Sequence, residues 1–188
     1  MDLYSFTYRG LLTDASLDRA GRKRKVTVAE IDTESYEEAL AFEMLDEEYL
    51  AASRRMSLVY TALHAFENSV RKLVTSTMIE AYKETWWDKV PKRIRDKVAA
   101  RKEDDAKFKW HGSRGSDNIT YCDFGDLSNI IVTNWNKFEP ILHDMEWSKS
   151  ILVTLEKSRN IIMHGGELSM QDVHRIGMNI RDWIRQAG

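Results

Sequence analysis

An all-α bundle of five or six helices, with at most one short hairpin, is the fold class that this 188-residue sequence predicts. Three observations carry that expectation. Apolar residues recur every three or four positions over most of the chain, the period of a helix buried along one face. Two prolines are too few to break the pattern often. Helix-opening residues stand in front of the periodic runs, and a glycine pair closes one of them.

The length suits one domain with a sizeable core. No stretch of eighteen apolar residues occurs, so no membrane span is expected. The opening MDLYSFTYRG lacks a basic segment followed by an apolar one, so no signal peptide is expected either. The lone Cys122 has no disulfide partner in the chain and suits a reducing compartment, which makes the cytoplasm the expected location. The formal net charge of −2 conceals separated signs. Nine acidic and no basic residues lie between Glu30 and Glu48, whereas nine basic and four acidic residues lie between Lys89 and Lys109. Gly21–Lys25 (GRKRK) is a second basic cluster. Such separation is compatible with nucleic acid on a basic surface, and equally with ordinary solvated helix faces.

Taken in order, residues 1–34 read as an N-terminal arm, in which Val26–Ile31 alternates like a short strand. Residues 35–188 read as one helical domain. Ser35 and Glu38 form a capping box that opens a helical region reaching about Lys83, with an interruption expected near Ala52–Ser53. Val59, Leu63, Phe66, Val70, Leu73 and Val74 make a core-facing stripe in it. Beside the stripe, Glu67 and Arg71 read as an i, i+4 pair giving modest support at a surface. His64 abuts the same stripe and reads as structural. Of the adjacent Trp86 and Trp87, one ring is expected on the core and the other is free for an interface or a base. A basic helix follows from about Pro91 to Ala106, with proline at its first position.

Trp110–Asn118 (WHGSRGSDN) is the clearest loop, and its His111 and Arg114 would reach a phosphate if the loop borders a cleft. Ile119–Cys122 reads as a short strand, a hairpin partner for Val26–Ala29. Asp123–Gly125 spells the DFG of protein kinases, but the other kinase motifs are missing. Asp123 or Asp126 is better read as the N-cap of a helix to about His143, with Leu127, Ile130, Ile131, Trp135 and Phe138 inward. Pro140 should kink or stop it. The last helix starts at Ser169 and Asp172 and turns Val173, Ile176, Ile180 and Ile184 inward, with Gly177 admitting a neighbouring helix.

The chemistry gathers between these last two helices, in Leu155–Gly166 (LEKSRNIIMHGG). Ile151, Leu152, Leu155 and Ile162 form an apolar face, and Arg159 lies four residues after Leu155 and seven after Leu152. Its guanidinium therefore needs a partner or a polar cleft. Asn160 and His164 are four apart and share the adjoining face. Gly165 and Gly166 end the helix. No HExxH, CxxC or serine-elbow motif occurs, so neither a metal nor a cofactor is expected. What remains fits RNA, which carries its own nucleophile in the 2′-hydroxyl. A histidine can move its proton while an arginine stabilises charge building on phosphorus. Residues five apart on a helix are rotated by about 140° and separated by about 7.5 Å, so Arg159 and His164 do not point at one target. Either the helix end bends, or a second copy completes the site across a two-fold axis; the dimer is the favoured reading.

These residues resemble a known family. The R-N-x-x-x-H pattern at the end of a bundle helix is similar to the motif of HEPN domains, the higher-eukaryote and prokaryote nucleotide-binding domains. Around it, ALHAFENSVRKLV, HGSRG, YCDFGDLSNII, NW and RNIIMHGGELS resemble one subgroup, found at the end of a yeast nuclear endoribonuclease and in many bacterial proteins. The likeness runs from about Tyr49 to Gly188. It implies a helical HEPN bundle and a metal-independent endoribonuclease whose catalytic residues would be Arg159, His164 and Asn160, at a homodimer interface formed by the helix that carries them. It further implies RNA as the partner and a role as a toxin or anti-phage effector, with a regulatory protein as a further candidate partner. One bacterial branch carries a tyrosine two residues beyond the histidine, modified by a partner nucleotidyltransferase; Gly166 stands there instead. Some HEPN domains only bind, so the competing readings are a non-catalytic module for RNA, nucleotide or protein, and a purely structural dimerisation domain.

Overall fold

The computed structural model describes residues 32–187 together with Thr13 and Ser16. The expected strand Val26–Ile31 and the basic cluster Gly21–Lys25 lie outside the described residues. The chain divides into two compact units, 1–45 and 46–188. Among the described residues there are seven α-helices and no strand, and no helix is long and apolar enough to cross a membrane.

In the first unit, α1 spans Thr33–Ala39 and is capped by Asp32, whose carboxylate accepts from the Ser35 amide at 3.2 Å. The cap thus sits three residues before the expected Ser35, because the aspartate side chain reaches the free amide first. Ala41 takes a left-handed conformation, φ 52°, and a short 3-10 turn follows over Phe42–Met44.

The second unit opens with α2, Glu47–Tyr82, capped by Asp46 and reinforced by Glu47 and Glu48 in its first turn. The expected interruption at Ala52–Ser53 does not occur. The break lies instead at Leu40–Asp46, where the left-handed Ala41 and the Asp46 cap end one helix and start the next. Val59, Leu63, Phe66, Val70, Val74 and Met78 are buried along one stripe of α2. His64 is exposed rather than structural, stacked on Tyr60 and bonded to Asn68.

A 3-10 helix, Lys83–Lys89, carries Trp86 and Trp87. Both rings are half-buried against the core and meet edge to face at 5.2 Å, so the expected division into one core ring and one free ring does not occur. The basic helix α3, Lys92–Lys107, has Pro91 at its N-cap and buries only Ile94 and Val98. Residues Asn118–Tyr121 form a 3-10 helix, not the expected strand. Ile119 and Tyr121 are buried in alternation, which mimics a strand, but the Thr120 hydroxyl and amide both donate to the Asp117 carbonyl and close a turn.

Asp123 caps α4, Phe124–Thr133, in a capping box with Asp126. The helix expected to reach His143 is divided at Asn134. Its buried side chain donates to the Ile130 carbonyl at 3.1 Å and accepts from the Tyr82 hydroxyl at 3.3 Å, competing with the helix ladder. The shorter α5, Trp135–Leu142, contains Pro140 and stops at His143, φ 59°. Next comes α6, Met145–Met163, which packs against α4 and buries Ile151, Leu152 and Leu155. Ser169 and Asp172 bond reciprocally ahead of α7, Met170–Ala187, which closes the bundle. Trp183 is the inward residue near its end, stacked on Trp147 and set edge-on to Phe66, while the expected Ile184 is 56% exposed. At Gly177 the expected neighbouring helix is not the nearest group among the described residues; a Cβ there would stand 3.3 Å from the Arg181 guanidinium, four residues on in the same helix.

Candidate functional site

The C-terminal half of α6 presents its side chains to three separate concavities, and helix geometry alone explains why. Arg159, seven residues beyond the buried Leu152, continues the inner face but is too long and too charged to enter the core. It turns into a polar cleft of about 190 Å³ lined by Glu67 and Arg71 of α2, Arg101 of α3, the loop residue Arg114, and Thr120–Asp123. Asn160 and His164 are exposed and line a shallow groove on the outer face with Val153, Lys157 and Ile161. A third groove runs between Tyr49, Met56 and Tyr60 of α2 and Ile162, Met163 and Gly165 at the helix end. Arg159 and His164 therefore occupy different concavities in one chain, as their five-residue spacing requires.

The partner that Arg159 needs is Glu67. This carboxylate is 4% exposed; its Oε2 lies 3.7 Å from Arg159 Nε, while its Oε1 accepts from Arg71 Nη2 at 2.5 Å. Arg71 also donates to the Cys122 carbonyl at 2.8 Å and to Asn68 at 2.9 Å, and its Nε is buried without a partner among the described residues. The Glu67–Arg71 pair is thus a buried wall of the cleft, not the surface support that its i, i+4 spacing suggests. Asn160 Oδ1 accepts from Arg159 Nη1 at 3.4 Å, a long bond that leaves the guanidinium loosely held.

By sequence, Lys97 and Arg101 belong to a basic surface. Both instead bind the capping box of α4. Lys97 Nζ donates to Asp123 and Asp126 at 2.9 Å, and Arg101 Nη2 donates to Asp123 at 3.1 Å. Burial opposes ionisation of Asp123, but bonds from Lys97, the Asp126 amide and Arg101 hold its carboxyl well below the usual carboxylate range. A depressed folded-state value gives stability that is present above the unfolded value and lost as acid titrates the group. Asp123→Asn is therefore expected to melt earlier than the parent at pH 7, with the gap closing as the pH falls below about 4; melting midpoints across pH check it. Next to this network, burial, with Asp126 and Asp123 nearby, pushes the Cys122 thiol up to about 12. A thiol so placed is no nucleophile at neutral pH.

The Gly-rich loop does border the cleft, but it delivers only one of its two candidates. Arg114 lies at the cleft rim, its guanidinium 5.8 Å from the centre of the Tyr121 ring. His111 faces elsewhere, in a small hollow with Phe108 and Trp110.

The end of α6 decides how far His164 projects. His164 is the C-cap; the Gly165 amide donates to the Ile162 carbonyl and the Gly166 amide to the Ile161 carbonyl, the paired bonds of a Schellman turn. Gly165 has φ +77°, which favours glycine. At Gly166 the limit is space: a Cβ there would stand 2.7 Å from Ile161 Cγ2 and 2.9 Å from its carbonyl oxygen.

With this geometry in view, residues 61–188 match the model of the Swt1-like HEPN family. The chain is a Swt1-like HEPN protein. The matched segment runs from the middle of α2 to the C-terminus and contains every residue of the guanidinium cleft and of the His164 groove. HEPN membership suggests a ribonuclease or nucleotide-binding module. No curated protein and no solved structure matches it significantly.

Proposed function

We propose that this HEPN protein is a metal-independent endoribonuclease whose active site is completed by a second copy of the chain, acting as a toxin or defence effector. The observation that carries the reading is the division of labour around α6. The guanidinium of Arg159 sits in a cleft rich in positive charge, while the imidazole of His164 and the amide of Asn160 stand exposed on the next face. That outer face also leaves Val153 51% and Ile161 37% exposed, an apolar surface suited to its own copy. Apposed about a two-fold axis, the two helices would set the arginine of one chain and the histidine of the other on one RNA strand.

In the reaction, His164 removes the proton from a 2′-hydroxyl as its oxygen attacks phosphorus. The bond from phosphorus to the 5′-oxygen breaks, a 2′,3′-cyclic phosphate forms, and the leaving oxygen takes up a proton. Arg159 stabilises the charge that gathers on the phosphoryl oxygens, and Asn160 binds a phosphate oxygen beside it. Incubation of the full chain with total RNA in EDTA tests the proposal. Fragments ending in 2′,3′-cyclic phosphate are the expected result; cleavage that requires magnesium would overturn it. The Glu67–Arg159 pair supports a second reading, in which the charge is satisfied internally and the module only binds. Intact RNA after long incubation, with retained affinity, would select that one.

A further inference from the structure

The four arginines of the cleft are held very differently. Arg71 and Arg101 are fixed by bonds to Glu67, Asn68, Asp123 and the carbonyls of Cys122 and Tyr121. Arg159 and Arg114 are loose. The contacts of Arg159 are 3.4 and 3.7 Å long, and Arg114 Nη1 lies 3.8 Å from Asp105. Arg114 is nonetheless positioned, because its backbone amide donates to Asp105 at 3.2 Å and its guanidinium lies over the Tyr121 ring. Two firmly bonded guanidiniums and two loosely held ones thus line one small cleft, the loose pair coming from the loop and from α6.

The lining carries four guanidiniums and two carboxylates, Glu67 and Asp123; Asp126 pairs with Arg101 and Asp105 stands beside Arg114 just outside it, so the two loosely held forks are the ones placed to take an anion, and planar forks favour phosphate. We infer that the cleft is a phosphate-binding subsite for the RNA strand, in which Arg114 and Arg159 close as a clamp on one phosphate. Arg114 is then a substrate-binding residue outside the Arg159–Asn160–His164 motif, and the Gly-rich loop that carries it sets how the strand enters. The inference rests on the endoribonuclease reading for the identity of the ligand. It does not need cleavage to occur.

The test uses the full chain carrying His164→Ala, so that bound RNA stays intact. Affinity for a fluorescent single-stranded RNA is measured by anisotropy across a salt series. Adding Arg114→Ala should weaken binding about tenfold and flatten the dependence of log affinity on log salt by about 0.7, the loss of one phosphate contact. Arg114→Lys should restore most of the salt dependence but only part of the affinity, since a point charge cannot fork. Arg93→Ala, an exposed charge of α3 outside the cleft, serves as the comparison. Equal affinity and slope for Arg114→Ala and its parent would overturn the subsite while leaving any cleavage by the unaltered chain intact. An equal loss from Arg93→Ala would overturn it too, reducing Arg114 to general surface charge. If the parent binds no RNA, the nuclease reading falls and takes the RNA subsite with it. Uridine monophosphate is titrated in a parallel arm, and Arg114-dependent binding of it without RNA binding would reassign the cleft to free nucleotides.

Discussion

Replacing His164 with alanine should lower RNA cleavage by about 10²–10⁴-fold, the contribution of a positioned general base, without lowering the melting temperature. His164 is exposed and outside the core, so its loss removes chemistry and not packing. Arg159→Ala should fall comparably, because charge on the phosphoryl oxygens would lose its nearest adjustable cation. The decisive measurement mixes the two inactive variants. If each site takes Arg159 from one chain and His164 from the other, a mixed dimer holds one complete site. Equal mixing after dissociation and reassociation should then restore about a quarter of parent activity. A site formed within one chain predicts no recovery at all. Failure of the mixture with both single variants inactive would retain the nuclease and discard the shared site. Full activity in His164→Ala would discard the imidazole mechanism itself.

The second large effect concerns stability. Glu67→Ala should cost about 3–5 kcal/mol, the usual result of deleting one member of a buried ion pair. Arg71, with 15% of its side chain exposed, would keep its charge and lose its carboxylate. Arg159, at 32%, can swing to water and contributes less. Glu67→Gln keeps an acceptor of the same shape and should lose less. Replacing Glu67 and Arg71 together with methionine should recover most of the loss, since apolar side chains of similar volume remove the desolvation problem instead of leaving half of it. Urea denaturation of the four proteins measures this. A cost below about 1 kcal/mol for Glu67→Ala would mean that solvent reaches the pair freely.

Much of the bundle is legible in the periodicity of the amino-acid sequence. The stripes of α2, α4 and α6 turn inward where a 3.6-residue period puts them, as does that of α7 through Ile176 with Val173 and Ile180 partly buried, and the Asp123 cap and the Gly165–Gly166 stop need only local chemistry. The same period says that Arg159 and His164 diverge, and they enter different concavities. The reasoning that marks Arg159 as a charge on an apolar face applies equally to Glu67, four residues after Leu63 and three before Val70. Its i, i+4 partner Arg71 offers a ready surface explanation and conceals that signal. Other features have no local trace. Asn134 divides a helix through a bond to Tyr82, 52 residues away, and Arg101 is drawn to Asp123 across 22 residues. Alternating burial at Ile119 and Tyr121 is the same whether the backbone is extended or wound in a 3-10 turn, so the pattern cannot separate them.

The crowded underside of Gly166 has a bearing on how members of this family diverge. A tyrosine at that position, such as the modified one in another HEPN branch, would drive its first carbon into Ile161 and its carbonyl. Grafting that mode of control onto this chain therefore demands a rebuilt helix exit as well as a new side chain. Either change made alone leaves the turn after α6 strained or the new side chain without room.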